Sequence, residues 1–314
     1  MKAHTVVKIA ISCGLIALIL AKVPLNELVA DLLAFNPGFL ALSIGLSPLL
    51  LLLKMYKWYR LLRDESSRIA FKSAALSLLC GIGVGLVTPG RAGEVTRALF
   101  IRSDERSKLV GLVIVDRLLD LIPIVICAGV SVAFLFDLKL GILLVSGAVI
   151  PIYLLYDARR LSRWLRMAAG IMPLGERLSD VIGSLDTLNG RLVNEVLVLA
   201  GLIFLGALVQ FYLLLSGLTQ VPPAAAVVSF PLVTLAAILP ITVSGLGTRE
   251  GIAMLVLHRY GVAETAAVNA AFLSFCLNTL APGIVGAILI SSARLPSSHI
   301  REGQPGMPKP FEES

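Results

Sequence analysis

Arg91, Glu94 and Arg97 stand in "LVTPGRAGEVTR" (86–97), directly after an apolar run, with Pro89, Gly90 and Gly93 among them. Arg249 and Glu250 close a second stretch, "LPITVSGLGTRE" (239–250), which also follows an apolar run and contains Pro240, Gly245 and Gly247. A guanidinium is a planar fork that grips phosphate through two parallel N–H donors and stays charged when water is removed. A nearby glutamate would pair with it when no anionic ligand is bound. Glycines allow the unusual dihedrals of a tight turn, and a proline removes an N–H that would lack a partner. A helix beginning after such a turn points its positive end at the same spot. The two stretches therefore predict a binding site for an anionic group. Its binding residues would be Arg91, Glu94, Arg97, Arg249 and Glu250, and its turn residues Pro89, Gly90, Gly93, Pro240, Gly245 and Gly247.

A third charged set lies in "VIVDRLLDLIP" (113–123), where Asp116, Arg117 and Asp120 share a helix flank by their three- and four-residue spacings. An aspartate at a membrane-helix centre costs about 2.5–3.5 kcal/mol on insertion scales and usually faces the bundle interior. These residues either join the binding site or form an interfacial ion pair in the first turns of their helix. We count them among the candidate binding residues. "LLLLKMYKWYRLLR" (50–63) ends an apolar run with aromatic and basic residues. It reads as an aromatic belt with snorkelling lysines at a cytoplasmic interface, with a direct headgroup contact as the alternative.

The elements that must position these residues follow from composition. The chain has 314 residues, 57% hydrophobic and 15% charged, with a mean hydropathy of +0.90. A soluble domain is about a quarter charged. Residues 32–53, 73–90, 140–156, 196–248 and 265–293 contain no Asp, Glu, Lys or Arg. A membrane-spanning helix needs roughly 20 mainly apolar residues, whereas a barrel strand alternates in polarity. The expected fold is an all-α integral membrane protein, a polytopic helix bundle. Its eight hydrophobic segments run about 5–21, 38–56, 71–88, 110–135, 138–156, 192–216, 225–243 and 264–291. Residues 1–295 form this membrane domain, and 296–314, rich in Pro, Ser and Gly, is expected to be a disordered cytoplasmic tail.

Basic residues favour the cytoplasmic side. The N-terminus, the 57–70 loop and the Arg-rich 157–191 connector belong there, and the uncharged "GLTQVPPA" (217–224) belongs outside. Eight plain spans would put Arg91, Arg97, Arg102, Arg106 and Lys108 outside. If segments 71–88 and 225–243 instead enter, turn and leave on one side, residues 98–108, the 157–191 connector and both termini are cytoplasmic. Two Gly/Pro-interrupted apolar segments in corresponding halves point to an inverted repeat with a substrate site near mid-membrane. Irregular backbone at that depth is tolerated only where it lines a buried or watery cavity.

The net charge of +7 sits in short loops between apolar runs, which argues against a nucleic-acid partner. Cys13, Cys80, Cys127 and Cys276 lie apart in apolar stretches, and His4, His258 and His299 are isolated, so no metal site or cofactor is expected. No phosphate-binding loop of the GxxxxGK[ST] type occurs.

"TPGRAGEVTR", "VDRLLD", "LPITVSGLGTREG" and "WYRLL" together resemble the flippase-like membrane domain of the lysylphosphatidylglycerol synthetase family. The resemblance extends over nearly the whole chain to about Arg294. It implies a stand-alone member without the aminoacyl-transferase domain, located in a bacterial cytoplasmic (inner) membrane. It also implies a role in moving a polar or anionic lipid between leaflets, and marks Arg91, Glu94, Arg249 and Glu250, with Arg117 and Asp120, as its site. Membrane lipids are the expected partners. The alternatives are a lipid-modifying or glycolipid-synthesis enzyme, or an accessory subunit that partners one; no catalytic motif favours the enzyme. The sequence is compatible with an oligomer.

Overall fold

The computed structural model describes residues 25–65, 69–88, 91–101, 106–156, 162 and 188–292. The expected segment at 5–21, most of the 157–191 connector, the expected tail at 296–314, and Pro89 and Gly90 lie outside the described residues. Among the described residues the chain forms ten α-helices and no strand. They are α1 Leu25–Leu33, α2 Pro37–Glu65, α3 Phe71–Leu86, α4 Arg106–Leu135, α5 Leu138–Tyr156, α6 Gly190–Leu218, α7 Pro223–Ile238, α8 Thr248–Leu257, α9 Glu264–Phe275 and α10 Ala281–Ser292. A 3-10 segment, Ala92–Phe100, precedes α4, and a π turn, Cys276–Leu280, joins α9 to α10. All seven hydrophobic segments expected within the described residues are helical.

Local chemistry sets several helix starts. The Asn189 side chain accepts the Leu192 N–H at 2.8 Å and caps α6. Asp137 Oδ1 accepts the N–H groups of Lys139 and Leu140 at the start of α5. Pro222 and Pro223 open α7, where a missing N–H leaves nothing unsatisfied.

Four helices are long and apolar enough to cross a membrane: Pro37–Arg63, Ser107–Leu135, Gly190–Leu218 and the combined Glu264–Ser292. Each of the last three has 29 residues, about 43 Å at 1.5 Å per residue. By contrast α3 and α7 have 16 residues each, about 24 Å, which falls short of a hydrocarbon core of about 30 Å. The outer surface is apolar: Phe134 is 76% exposed, and Leu143 and Leu255 are exposed with it. Soluble proteins rarely tolerate that over a wide area; a lipid-facing surface requires it.

Two halves are visible. In each, a long helix is followed by a short apolar helix that doubles back, and then by a long span. The leading helices α2 and α6 pair antiparallel. Gln210 Nε2 donates to Ser43 O at 2.7 Å, Gly206 sits against Leu50, and Arg60 grips Glu195 through two bonds of 2.6 and 2.7 Å. The halves therefore run in opposite directions. The short helix of each half packs on the third helix of the other, α3 on α10 and α7 on α4. A Cβ at Gly286 of α10 would stand 1.9 Å from the Leu79 carbonyl oxygen of α3. Only glycine permits this approach, the small-residue contact that membrane helices use.

Candidate functional site

Charged side chains are placed first by the hairpin of α3 and the 3-10 segment. The segment runs back along α3, with Glu94 opposite Gly85 and Arg97 opposite Gly81. A Cβ at Gly85 would lie 2.7 Å from Glu94 Cγ, so the missing side chain makes room for the carboxylate. The turn is held by Thr88, whose Oγ1 accepts the Gly93 N–H at 2.8 Å. Arg91 adopts a left-handed conformation with φ 57°, which costs a residue with a Cβ about 1–2 kcal/mol.

Onto this hairpin α2 brings Lys54 and Lys57, and α4 brings Asp116, Arg117 and Asp120. Lys57 Nζ lies 2.9 Å from Asp116 Oδ1 and also pairs with Asp120. The other Asp116 oxygen lies 2.5 Å from Arg97 Nη2. Glu94 pairs with both Arg91 and Arg117. The Arg97 guanidinium stacks 3.9 Å over the Trp58 ring, whose Nε1–H donates to Ser77 Oγ at 3.0 Å. Glu94, Arg97, Asp116 and Lys57 are all almost fully buried. Charges removed from water persist only when paired, and here Glu94 and Asp116 each hold two cations and Asp120 holds Lys57.

Cations nevertheless outnumber anions. Lys54, Lys57, Arg91, Arg97 and Arg117 face Glu94, Asp116 and Asp120 around one cavity, five positive charges against three negative. The cavity measures about 60 Å³, room for a few waters and far below the roughly 300 Å³ at which ligand pockets begin. Several bonds in it are unmade. Arg91 Nε lies 2.7 Å from Glu94 Oε1, but the two are not aligned for a hydrogen bond, and Arg97 Nε has no acceptor among the described residues. Lys54 makes no ion pair among the described residues either. Lys54 stands eleven residues before the end of α2 and Asp116 ten after the start of α4, placing both about 15 Å along their helices from those ends.

The second hairpin is built differently. Past Ile238 the chain passes an exposed Pro240 and turns through Ser244, Gly245 and Gly247 at φ 53°, 76° and 85°. Glu250 then accepts the Gly247 N–H at 2.7 Å and takes two bonds of 3.0 and 2.9 Å from Arg249. The positive end of α8, expected to face a ligand, is thus occupied by Glu250. Arg249 lies 4.4 Å over the Phe275 ring, next to the π turn. It does not line the cavity.

Six of the eight expected binding residues, Arg91, Glu94, Arg97, Asp116, Arg117 and Asp120, therefore meet at one cavity, while Arg249 and Glu250 form a separate pair. Of Asp116, Arg117 and Asp120, Asp116 faces the bundle interior, while Arg117 and Asp120 are half-buried beside it. Lys54, Lys57 and Trp58 were not expected in the site. Lys57 and Trp58 are 2% and 0% exposed, so the belt reading of 50–63 fails for them; a belt residue must reach the interface, and these face Asp116 and Arg97. Their signal was the spacing of Lys54, Lys57, Trp58 and Leu61, one stripe of a helix. A second unforeseen network joins Gln210 to Ser47 and Asn278.

These features define an all-helical, polytopic membrane protein with a basic cavity buried between helices of an inverted pair of halves. The chain matches the family described as the lysylphosphatidylglycerol synthase TM region over residues 5–286, and it belongs to that family. A comparison with curated proteins gives no match.

Proposed function

We propose that the protein is a lipid translocase that moves a lipid with an anionic headgroup between leaflets. The observation that carries this reading is the excess of two positive charges around a membrane-buried cavity. Burying unmatched cations is costly, and a phosphate supplies the missing charge. Arg91 is the first contact. Its misaligned pairing with Glu94 leaves its fork free to turn toward a phosphate, with Arg117 and Lys54 beside it. Asp116 and Lys57 hold Arg97 and the floor of the cavity.

In this reading both hairpins are re-entrant, α3 from the cytoplasmic side and α7 from outside, and both termini are cytoplasmic. Helices of about 43 Å overrun a core of about 30 Å, so a cavity about 15 Å from their cytoplasmic ends lies within the hydrocarbon, on the cytoplasmic side of its middle. Arg249, bound to Glu250, braces the opposite hairpin. Translocation requires no covalent step, so the protein acts on lipid without changing it. Its resident membrane is the bacterial cytoplasmic membrane.

Liposomes carrying the purified protein and fluorescent phosphatidylglycerol test this. Expected are leaflet exchange of chemically unchanged lipid, and its loss by at least about tenfold in Arg91→Ala, the effect of one charge-assisted contact. Altered lipid would make the protein an enzyme, and no exchange of any anionic lipid would make it an accessory subunit. Cysteines introduced at Ser103 and Ser297 are expected to resist an impermeant reagent added outside; labelling at Ser103 would overturn the re-entrant placement of α3.

A further inference from the structure

Beside the charged cavity lies a second space of about 230 Å³, between α2 and the π turn with the start of α10. Its walls are apolar, formed by Leu51, Leu277, Ala281, Pro282 and Val285. Ala281 and Val285 are exposed on the lipid-facing surface, so the groove opens sideways. Lys54 lines this groove and the charged cavity alike. We propose that the groove seats an acyl chain of a phospholipid whose phosphate meets Lys54 at the entrance to the cavity. This rests on the reading of that cavity as a headgroup site.

Three observations select this occupant. The cavity's two excess positive charges lie at one end of the groove and are joined to it through Lys54, which complements a phosphodiester. Apart from Lys54, the groove's polar side chains already hold hydrogen bonds. Ser47 Oγ accepts from Gln210 Nε2 at 2.8 Å and donates to Ser43 O at 3.1 Å, and Asn278 donates to Gln210 Oε1 at 2.6 Å and Ser274 O at 3.1 Å. A polar ligand would find few partners there, whereas a hydrocarbon chain needs none. Ser47 is also seven residues from Lys54 on α2, about 10 Å along the helix, so the groove extends away from the charge as a chain does from its headgroup.

The test is photo-crosslinking in liposomes with the full chain, using phosphatidylglycerol that carries a diazirine in one acyl chain. Diacylglycerol bearing the same chain serves as the probe without phosphate. The expected result is capture on Leu51, Leu277, Ala281 or Val285, about tenfold stronger for phosphatidylglycerol, as one lost charge-assisted hydrogen bond implies. Lys54→Gln is expected to lower that capture to the diacylglycerol level. Ala281→Trp, which fills the groove from an exposed position, is expected to remove capture of both. Equal capture of the two lipids, undiminished capture in either variant, or crosslinks confined to other helices would overturn the proposal. Lys54-dependent capture by a protein that exchanges no lipid would end the translocation reading and leave the acyl-chain seat standing. Exchange without groove capture would do the reverse.

Discussion

The first hairpin hands its charges to neighbouring helices, whereas the second keeps its charges to itself. Glu94 and Arg97 reach Arg117 on α4, Asp116 on α4 and Trp58 on α2. Arg249 and Glu250 bond each other and the Gly247 N–H. Both turns use left-handed backbone, both follow 16-residue apolar helices, and each of those helices packs on the other half's third helix. An inverted repeat therefore need not divide its chemistry evenly. One copy is wired into a network with two spare positive charges, and the other is a closed, neutral pair. The cores differ in the same way. The first cluster packs Trp58 with mostly leucines, isoleucines and valines, whereas the second mixes phenylalanines such as Phe204, Phe211 and Phe230 with alanines such as Ala225, Ala253, Ala267 and Ala271, small residues that let helices approach closely.

The sharpest way to break this comparison is to remove one carboxylate from each hairpin's set. Asp116→Ala leaves both Lys57 and Arg97 buried with a partner lost, and is expected to destabilise by about 3–5 kcal/mol. Glu250→Ala strands a single buried arginine that retains its stacking on Phe275, and is expected to cost about 3 kcal/mol, the lower end of the same range. Thermal unfolding in one detergent measures both. Equal losses would mean that the two hairpins are wired alike after all.

A smaller effect separates the hairpins by shape. Gly85→Ala drives a methyl group to 2.7 Å from Glu94 Cγ, and overpacking of this kind costs about 1–3 kcal/mol. Gly251, in α8 of the second hairpin, has open space around an added Cβ. Gly251→Ala should therefore gain about 0.5–1 kcal/mol from helix propensity. Opposite signs in the same unfolding assay are expected; a destabilised Gly251→Ala would show a close contact at α8.

The helices and the turn chemistry were legible in the sequence, because apolar length and Gly/Pro interruption report directly on membrane burial. The sets at 91–97 and 116–120 were legible as well, since membrane-embedded charges of opposite sign must find each other. Lys57 and Trp58 were not, because a lysine near a helix end can snorkel or pair inward with the same local sequence. The choice is made by Asp116, which is 59 residues away. The separateness of Arg249 and Glu250 was hidden behind their likeness to Arg91 and Glu94. One clue was present: Gly247 and Glu250 have the N-cap and N3 spacing of a capping box, which commits the glutamate to the helix start. Spacing likewise could not show that residues 92–100 form a 3-10 segment, since that depends on its fit against the glycines of α3.

The finest distinction concerns two left-handed residues, one in each turn. Arg91 and Ser244, at φ 57° and 53°, each carry a conformational cost of about 1–2 kcal/mol, which glycine would relieve at an entropic cost of about 0.5–1 kcal/mol. Ser244→Gly also removes a buried hydroxyl with no hydrogen-bond partner among the described residues, so a net gain of about 1–2 kcal/mol is expected. Arg91→Gly removes one of the two cations that hold the buried Glu94, so a net loss of about 1 kcal/mol is expected. Lipid exchange separates the two as well. It should survive in Ser244→Gly and fail in Arg91→Gly, because only the first turn presents a cation to the cavity. Loss of exchange in both variants would return the second turn to the site and make the two halves functional equals.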